Sequence, residues 1–158
     1  MSINARPVTD YEAAFAAVSD LLQQRIGHKL LTVSRVLPDE ASVERIYTTQ
    51  PEAYPVHGKK PRDHTEWTAL MERGECFVAS QPEDFGPHFS DLPTIVRHGL
   101  GAVINIPVLE GTRMLGTLNL LDAAGAYTGP VLDACVEARG LAAKGFALYE
   151  QWLAQRAA

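Results

Sequence analysis

Two asparagines interrupt stretches of sequence that are otherwise apolar. Asn105 lies within residues 102–109 and Asn119 within residues 114–121. A buried amide without a hydrogen-bond partner costs about 1–3 kcal/mol, so each of these side chains must bond to something in the interior. One reading is that both amides bond to local backbone at a strand edge or turn. The other is that at least one faces a cavity and orients a bound molecule.

A second group with binding chemistry is a short basic cluster formed by Lys59, Lys60, Arg62 and His64. It adjoins a segment with three prolines, and such clusters are often solvated loops. The alternative is a cationic rim for a carboxylate or phosphate, in which the guanidinium of Arg62 would give bidentate geometry.

Large apolar side chains are candidates for the walls of a pocket, although aromatic residues in a small domain usually belong to its core. Trp67 stands apart, because it opens a helix directly after the proline-rich segment and its indole N–H needs an acceptor. With Phe85 as a further wall candidate, the predicted ligand-binding residues are Trp67, Phe77, Phe89, Asn105, Met114, Asn119 and Arg62.

The nucleophiles and metal ligands show no catalytic spacing. Cys76 and Cys135 form no CxxC or Cys/His pair, and the five histidines show no HxxxH or HExxH pattern. We therefore predict neither a disulfide framework nor a metal site. Cys76, beside Phe77 in an apolar stretch, is expected to be an inert small hydrophobe. These observations favour a binding protein over an enzyme.

Residues typical of helix ends predict a helix near each terminus of the chain. Thr9 and Glu12 have the spacing of a capping box, and Gly27 stands where a helix ends in the left-handed conformation. The closing helix is expected from Thr128 to about Trp152, with small residues along one face. Small residues permit a close neighbour, so the two helices are expected to pack together.

The strands follow from runs of β-branched and apolar residues. Residues 30–37 and 43–48 should form an antiparallel pair, 76–79 a short strand, and 102–109 with 114–121 a hairpin buried on both faces. Prolines predict a loop over 49–63, a helix is expected over 65–73, and a short one near 91–96. The fold class is therefore α+β: a mainly antiparallel sheet of five to six strands, with both terminal helices on one face. A ligand-type pocket is expected on the other face, under the connection 80–101.

Length and charge restrict the class of protein. A chain of 158 residues fits one domain, taken as 1–158, and a net charge of −5 argues against binding to nucleic acid or anionic lipid. It contains no apolar run long enough to span a bilayer and no signal-peptide pattern at the start. We expect a cytoplasmic protein in which both thiols are reduced.

The segment GLGAVINIPV (99–108), followed by GTRMLGTLNLL (111–121) and AYT (126–128), resembles the GAF domain. GECFVA (74–79) is similar to the middle strand of that family, and the resemblance covers nearly the whole chain. It implies a sensory domain that binds a small molecule, and it implies no particular ligand or cofactor. A homodimer through the apolar terminal helices is also expected.

Departures from subfamily patterns narrow the choice. Leu120 follows Asn119 where cyclic-nucleotide members have lysine, and neither cysteine matches the bilin attachment pattern. Members that reduce free methionine sulfoxide use three cysteines, and this chain has two. Two alternatives stay open. One is a reductase of that type, with Cys76 reacting and Cys135 resolving. The other is a dimerisation module with a collapsed pocket.

Overall fold

The computed structural model describes residues 7–62, 65–85, 92–129 and 131–157. Within these ranges the helices are α1 (Asp10–Arg25), α2 (Glu66–Glu72), α3 (Leu92–Arg97) and α4 (Leu132–Ala157). The strands are β1 (Leu30–Val36), β2 (Ser42–Thr48), β3 (Lys59–Pro61), β4 (Phe77–Ala79), β5 (Ala102–Glu110) and β6 (Arg113–Asp122). No helix in the described ranges is both long and apolar enough to cross a membrane.

The strands form one six-stranded sheet in the order β3-β2-β1-β6-β5-β4, and every pairing is antiparallel. The predicted α+β class is confirmed. The central hairpin β5–β6 is buried along most of both strands. This explains its nearly continuous apolar sequence, because a strand covered on both faces has no solvent side to mark with polar residues.

The terminal helices pack together on one face of the sheet, as predicted. The Thr9–Glu12 capping box begins α1. The ring of Tyr11 lies 4.8 Å from that of Tyr149, centroid to centroid. Gly145 allows this close approach, since a Cβ atom there would lie 2.5 Å from the ring of Phe15. Beneath the helices, alternate residues of β5 such as Ile104 complete the larger hydrophobic core.

Helix α4 continues to Ala157, beyond the predicted end near Trp152. The last residues, LAQRA, are strong helix formers, and Arg156 in the final turn interacts favourably with the helix dipole. The predicted end was therefore too early.

The prediction that residues 49–63 form only a loop is wrong at their end. Lys59–Pro61 form the edge strand β3, in which Pro61 pairs with Ser42 of β2. An edge strand tolerates proline, because one side of its backbone faces no neighbour and needs no N–H donor there.

The face of the sheet opposite α1 and α4 is covered by α2, α3 and the segments around them. A smaller hydrophobic cluster fills one end of this face. It joins Ile95 of α3 to Leu30, Val103 and Leu121 of the sheet. The remaining area of the face is where the cavity lies.

Candidate ligand-binding site

A cavity of about 340 Å3 lies between the sheet and the segments that cover this second face. Alternate residues of β1, β5 and β6 form its floor, while α2 and residues 58–62 lie across it. Ile95 is the lining residue contributed by the described part of connection 80–101. The volume is at the low end of the range of roughly 300–1,000 Å3 for small-molecule sites, so it suits a small metabolite.

A row of polar side chains crosses the cavity floor. Asn105 of β5 stands opposite Asn119 of β6, and Asn119 stands opposite Thr32 of β1. The Nδ2 of Asn105 donates to the Oδ1 of Asn119 at 2.8 Å. The Nδ2 of Asn119 donates to the hydroxyls of Thr32 at 3.2 Å and Ser34 at 3.4 Å. Both amides therefore face the cavity and bond across strands.

Trp67 determines which groups donate and which accept in the hydrogen bonds of this row. Thr65 caps α2, which places Trp67 in the first turn of the helix above the sheet. The indole Nε1 of Trp67 donates to the Oδ1 of Asn105 at 3.0 Å. Because an indole N–H can only donate, Asn105 must accept there and donate onward to Asn119. At the far end, Thr32 and Ser34 accept from Asn119, which leaves their hydroxyl protons to donate.

The wall formed by β2, β3 and the following residues is cationic. Arg45, Lys59, Lys60 and Arg62 line it, and among the described residues no acidic side chain lines the cavity. The Nη2 of Arg62 lies 2.8 Å from the Oε1 of Glu72, with which it forms an ion pair, and 3.5 Å from the sulfur of Met114. Lys59 and Lys60 are exposed, so their charges stand at the rim.

No protein-family model matches the sequence, and no curated protein matches it significantly. Solved structures do match. The GAF domain of a two-component sensor histidine kinase from Bacillus halodurans aligns with a TM-score of 0.68 at 12% identity, covering 92% of this chain and 99% of that one. The GAF domain/HD domain protein from Geobacter sulfurreducens gives 0.67 at 12% identity over 91% and 94%. A red/green cyanobacteriochrome in its red-light-absorbing state gives 0.63 at 19% identity over 93% and 99%. This chain has the GAF fold.

Within the GAF fold, the structure brings together five of the seven predicted ligand-binding residues. Trp67, Asn105, Met114, Asn119 and Arg62 all line the cavity, although they come from separate segments of the chain. The hydrogen-bonded row also answers the question that the two asparagines raised. Neither amide depends on local backbone at a turn, since each bonds to side chains of neighbouring elements.

Two other predicted wall residues do not line this cavity. Phe85 belongs to the smaller hydrophobic cluster and Phe77 packs against it. Phe77 of β4 is paired with Asn105 of β5, but at that edge of the sheet the covering segments pack directly onto the strands. Phe89 and His64 lie outside the described residues.

Sequence reasoning missed part of the floor and wall of the GAF cavity. Thr32, Ser34, Arg45 and Tyr54 line it and were not candidates. A signal for two of them was present, because Thr32 and Ser34 alternate with the core residues Leu31 and Val33 along β1. That alternation marks one face of the strand as polar. No comparable pattern indicates Tyr54, which lies in an irregular segment.

Cys76, expected from the sequence to be an inert small hydrophobe, lies beside Arg139 of α4. Cys76 is partly exposed and lies on the helical side of the sheet, not in the GAF cavity. The pKa of its thiol is lowered to about 6, first by a hydrogen bond from Cys135 and then by the guanidinium of Arg139, although burial opposes the shift. Among the described residues, no three histidine, cysteine, aspartate or glutamate side chains are grouped to hold a metal ion.

Proposed function

We propose that this chain is a sensory GAF domain that binds a small anionic molecule in the 340 Å3 cavity. The observation that carries the proposal is the cavity floor, where a partly buried hydrogen-bonded row from Trp67 to Thr32 faces the space that a ligand would fill. The known structures with this fold include domains of sensor histidine kinases and photoreceptors, which supports a signalling role.

The lining supports an anion with a partly apolar body. Four cationic side chains and no described acidic one line the cavity, and although Arg62 is paired with Glu72, Arg45, Lys59 and Lys60 add positive charge to the lining. The hydroxyls of Thr32 and Ser34 add neutral donors. Trp67 and Tyr54 offer aromatic surface for the apolar part of the ligand.

The cavity also weighs against the two alternatives. A dimerisation module with a collapsed pocket would fill this space with its own side chains. A sulfoxide reductase acting on a molecule in the cavity would need a thiol there, and no cysteine is among the lining residues of the described chain. We therefore place binding ahead of both.

The first test is native mass spectrometry of the protein as purified from cells, followed by analysis of what it releases on denaturation. We expect a small molecule with a carboxylate or phosphate. The variant Lys59→Glu/Lys60→Glu should bind it at least about tenfold more weakly, because like charges at the rim would repel the anion.

The matched control is Lys144→Glu, an exposed lysine of α4 on the opposite face of the sheet. This variant carries a change of the same kind far from the cavity and should retain the ligand as the wild type does. An empty wild-type protein, or a ligand retained equally by the rim variant, would contradict the proposal.

We also propose a homodimer through the outer surface of the helical layer. Leu141 is 42% exposed, and Leu148, two turns further along α4, is only partly buried. Trp152 is a poor choice for a test, because its ring packs 5.2 Å from that of Tyr11 and its loss would disturb the fold.

Leu141→Asp combined with Leu148→Asp should convert a dimer of two 17.2 kDa chains into a monomer. Light scattering after gel filtration measures the change in mass. The control is Val136→Asp, an exposed position on the other flank of α4, which should stay dimeric. A monomeric wild type, or a double variant that stays dimeric, would refute this interface.

The remaining proposals concern the setting of the domain. We propose that residues 1–158 form one GAF domain and that it acts in the cytoplasm, where free thiols such as Cys76 and Cys135 are kept reduced. The net charge of −5 gives no attraction to nucleic acid or to an anionic membrane surface, so we propose neither as a partner.

A further inference from the structure

A pair of thiols lies on the face of the sheet opposite the cavity. Cys76 stands between α2 and β4 and is partly exposed, whereas Cys135 lies on α4 and is 1% exposed. Cys135 belongs to the larger hydrophobic core cluster, and Cys76 packs against that cluster. Neither lines the ligand cavity, so this pair is a separate chemical site.

Arg139 completes the site. It follows Cys135 by one helical turn, so α4 presents both side chains toward Cys76. The Nη2 of Arg139 lies 3.3 Å from the Sγ of Cys76. The same nitrogen donates to the carbonyl of Gly74 at 2.7 Å. That second bond holds the guanidinium beside the sulfur, where a positive charge stabilises a thiolate.

The two thiols consequently differ in charge. The neighbouring thiol of Cys135 and the guanidinium of Arg139, 3.3 Å from the Sγ of Cys76, lower the pKa of Cys76 to about 6, which favours its thiolate form. The nearby carboxylate of Glu75 is paired with Arg73 at 3.1 Å. The pKa of Cys135 is raised, because its thiol donates to Cys76 and is buried, so it keeps its proton. A partly exposed thiolate against a protonated thiol is the arrangement of an attacking and a resolving cysteine.

We propose that Cys76 and Cys135 form a reversible dithiol–disulfide pair that reacts with small hydroperoxides. The Cys76 thiolate attacks one peroxide oxygen, so that an S–O bond forms and the O–O bond breaks. The released hydroxide or alkoxide takes a proton from water. The thiol of Cys135 then attacks the sulfenic sulfur, forming the S–S bond and expelling the oxygen as water with the Cys135 proton. Two thiols lose two electrons and one peroxide gains them, and a cellular dithiol reverses the step.

The disulfide would join two elements that are distant in the chain. It would tie the junction of α2 and β4 to α4 and close a loop of roughly 60 residues. Helix α2 carries Trp67 and Met71 into the cavity, so the redox site borders the element that covers the ligand. A crosslink of this span should raise the thermal unfolding midpoint by about 5–10 °C.

The test uses the full chain, reduced and then treated with equimolar hydrogen peroxide at pH 7. We expect a product lighter by about 2 Da, restored by dithiothreitol, with Cys76 and Cys135 crosslinked in a non-reducing peptide map. Cys135→Ser should instead accumulate Cys76 sulfenic acid, heavier by about 16 Da. Cys76→Ser should not react at this dose.

A second measurement separates thiolate activation from packing. The rate of Cys76 alkylation by iodoacetamide, followed against pH, should show a midpoint near 6 in the wild type. Arg139→Gln should raise this midpoint by about one unit or more, whereas Arg139→Lys should largely restore it. Arg156→Gln, at the end of the same helix, is the control and should leave it unchanged.

The wild-type measurements decide the proposal even if a variant fails to fold. A midpoint near the ordinary value of about 8.5, or no crosslink after peroxide treatment, would overturn it. Both cysteines lie outside the cavity. Failure to find a bound ligand would therefore not contradict the dithiol proposal, and failure of the dithiol proposal would not contradict ligand binding.

Discussion

Replacing Gly116 by alanine should destabilise the protein by about 3–5 kcal/mol, near the upper end of what single substitutions do. Gly116 of β6 pairs with Arg35 of β1 in the middle of the sheet. A Cβ atom at this position would lie 2.0 Å from the carbonyl oxygen of Ser34 and 2.9 Å from the Cα of Arg35. These are backbone atoms of the neighbouring strand, so relief requires the two strands to separate. Urea unfolding followed by circular dichroism measures the loss.

Two glycines of α4 provide the comparison. A Cβ atom on Gly140 would meet nothing within 4 Å, so Gly140→Ala should stabilise the helix by about 0.5–1 kcal/mol. Gly145→Ala should fall between the other two, since its Cβ would contact the Phe15 ring, a side chain, at 2.5 Å. The expected order of stability is Gly140→Ala, wild type, Gly145→Ala, Gly116→Ala. A Gly116→Ala protein within about 1 kcal/mol of the wild type would contradict the close approach of β1 and β6.

The elements of this fold are largely predictable because each is defined by local chemistry. A side-chain hydrogen bond between Thr9 and Glu12 begins α1, and Gly27 follows its end with a φ of 98°. The hairpin β5–β6 is apolar because both faces are covered. The sequence does not predict β3, because three residues that include a proline show no periodicity. They form a strand only because they pair with β2 at the edge of the sheet.

The register of the central hairpin shows where sequence reasoning stops. At the turn Glu110 pairs with Arg113, and continuing that register would set Asn105 opposite Leu118. An irregularity between Val108 and Leu109 shifts the pairing by one residue, so that Asn105 meets Asn119. A one-residue shift moves a side chain to the other face, so the polar row depends on this irregularity. Nothing in the sequence marks it.

The two sites depend on contacts between distant segments, which local patterns do not record. Arg62 approaches Met114 across 52 positions, and Arg139 approaches Cys76 across 63. The apolar neighbours of Cys76 along the chain predict an inert side chain. The groups that lower the pKa of its thiol, Cys135 and Arg139, lie on α4, which reaches Cys76 only in the folded protein.

Replacing Asn105 by leucine should destabilise the protein by about 2–3 kcal/mol. Asn105 is 2% exposed, and its loss removes the acceptor that the Trp67 indole uses and the donor that the Asn119 oxygen uses. Groups that lose a partner in the interior cost about 1–3 kcal/mol. The loss is measured by urea unfolding, with tryptophan fluorescence as one signal. Trp67→Phe is the control: it removes one donor, leaves the two asparagines paired, and should lose only about 1 kcal/mol.

The double variant Asn105→Leu/Asn119→Leu distinguishes a polar row that serves stability from one that serves binding. In the double variant neither amide remains to miss its partner. The combined loss of unfolding free energy should therefore be smaller than the sum of the single losses by about 1–2 kcal/mol. Leucine side chains can fill the apolar volume of this floor, but they carry no hydrogen-bonding groups. What leucines lack is the ordered set of donors that begins at Trp67 and ends at Thr32 and Ser34. We therefore expect the double variant to fold and to lose the ligand that the wild type retains; additive losses, or a double variant that still binds, would show that the row serves packing instead.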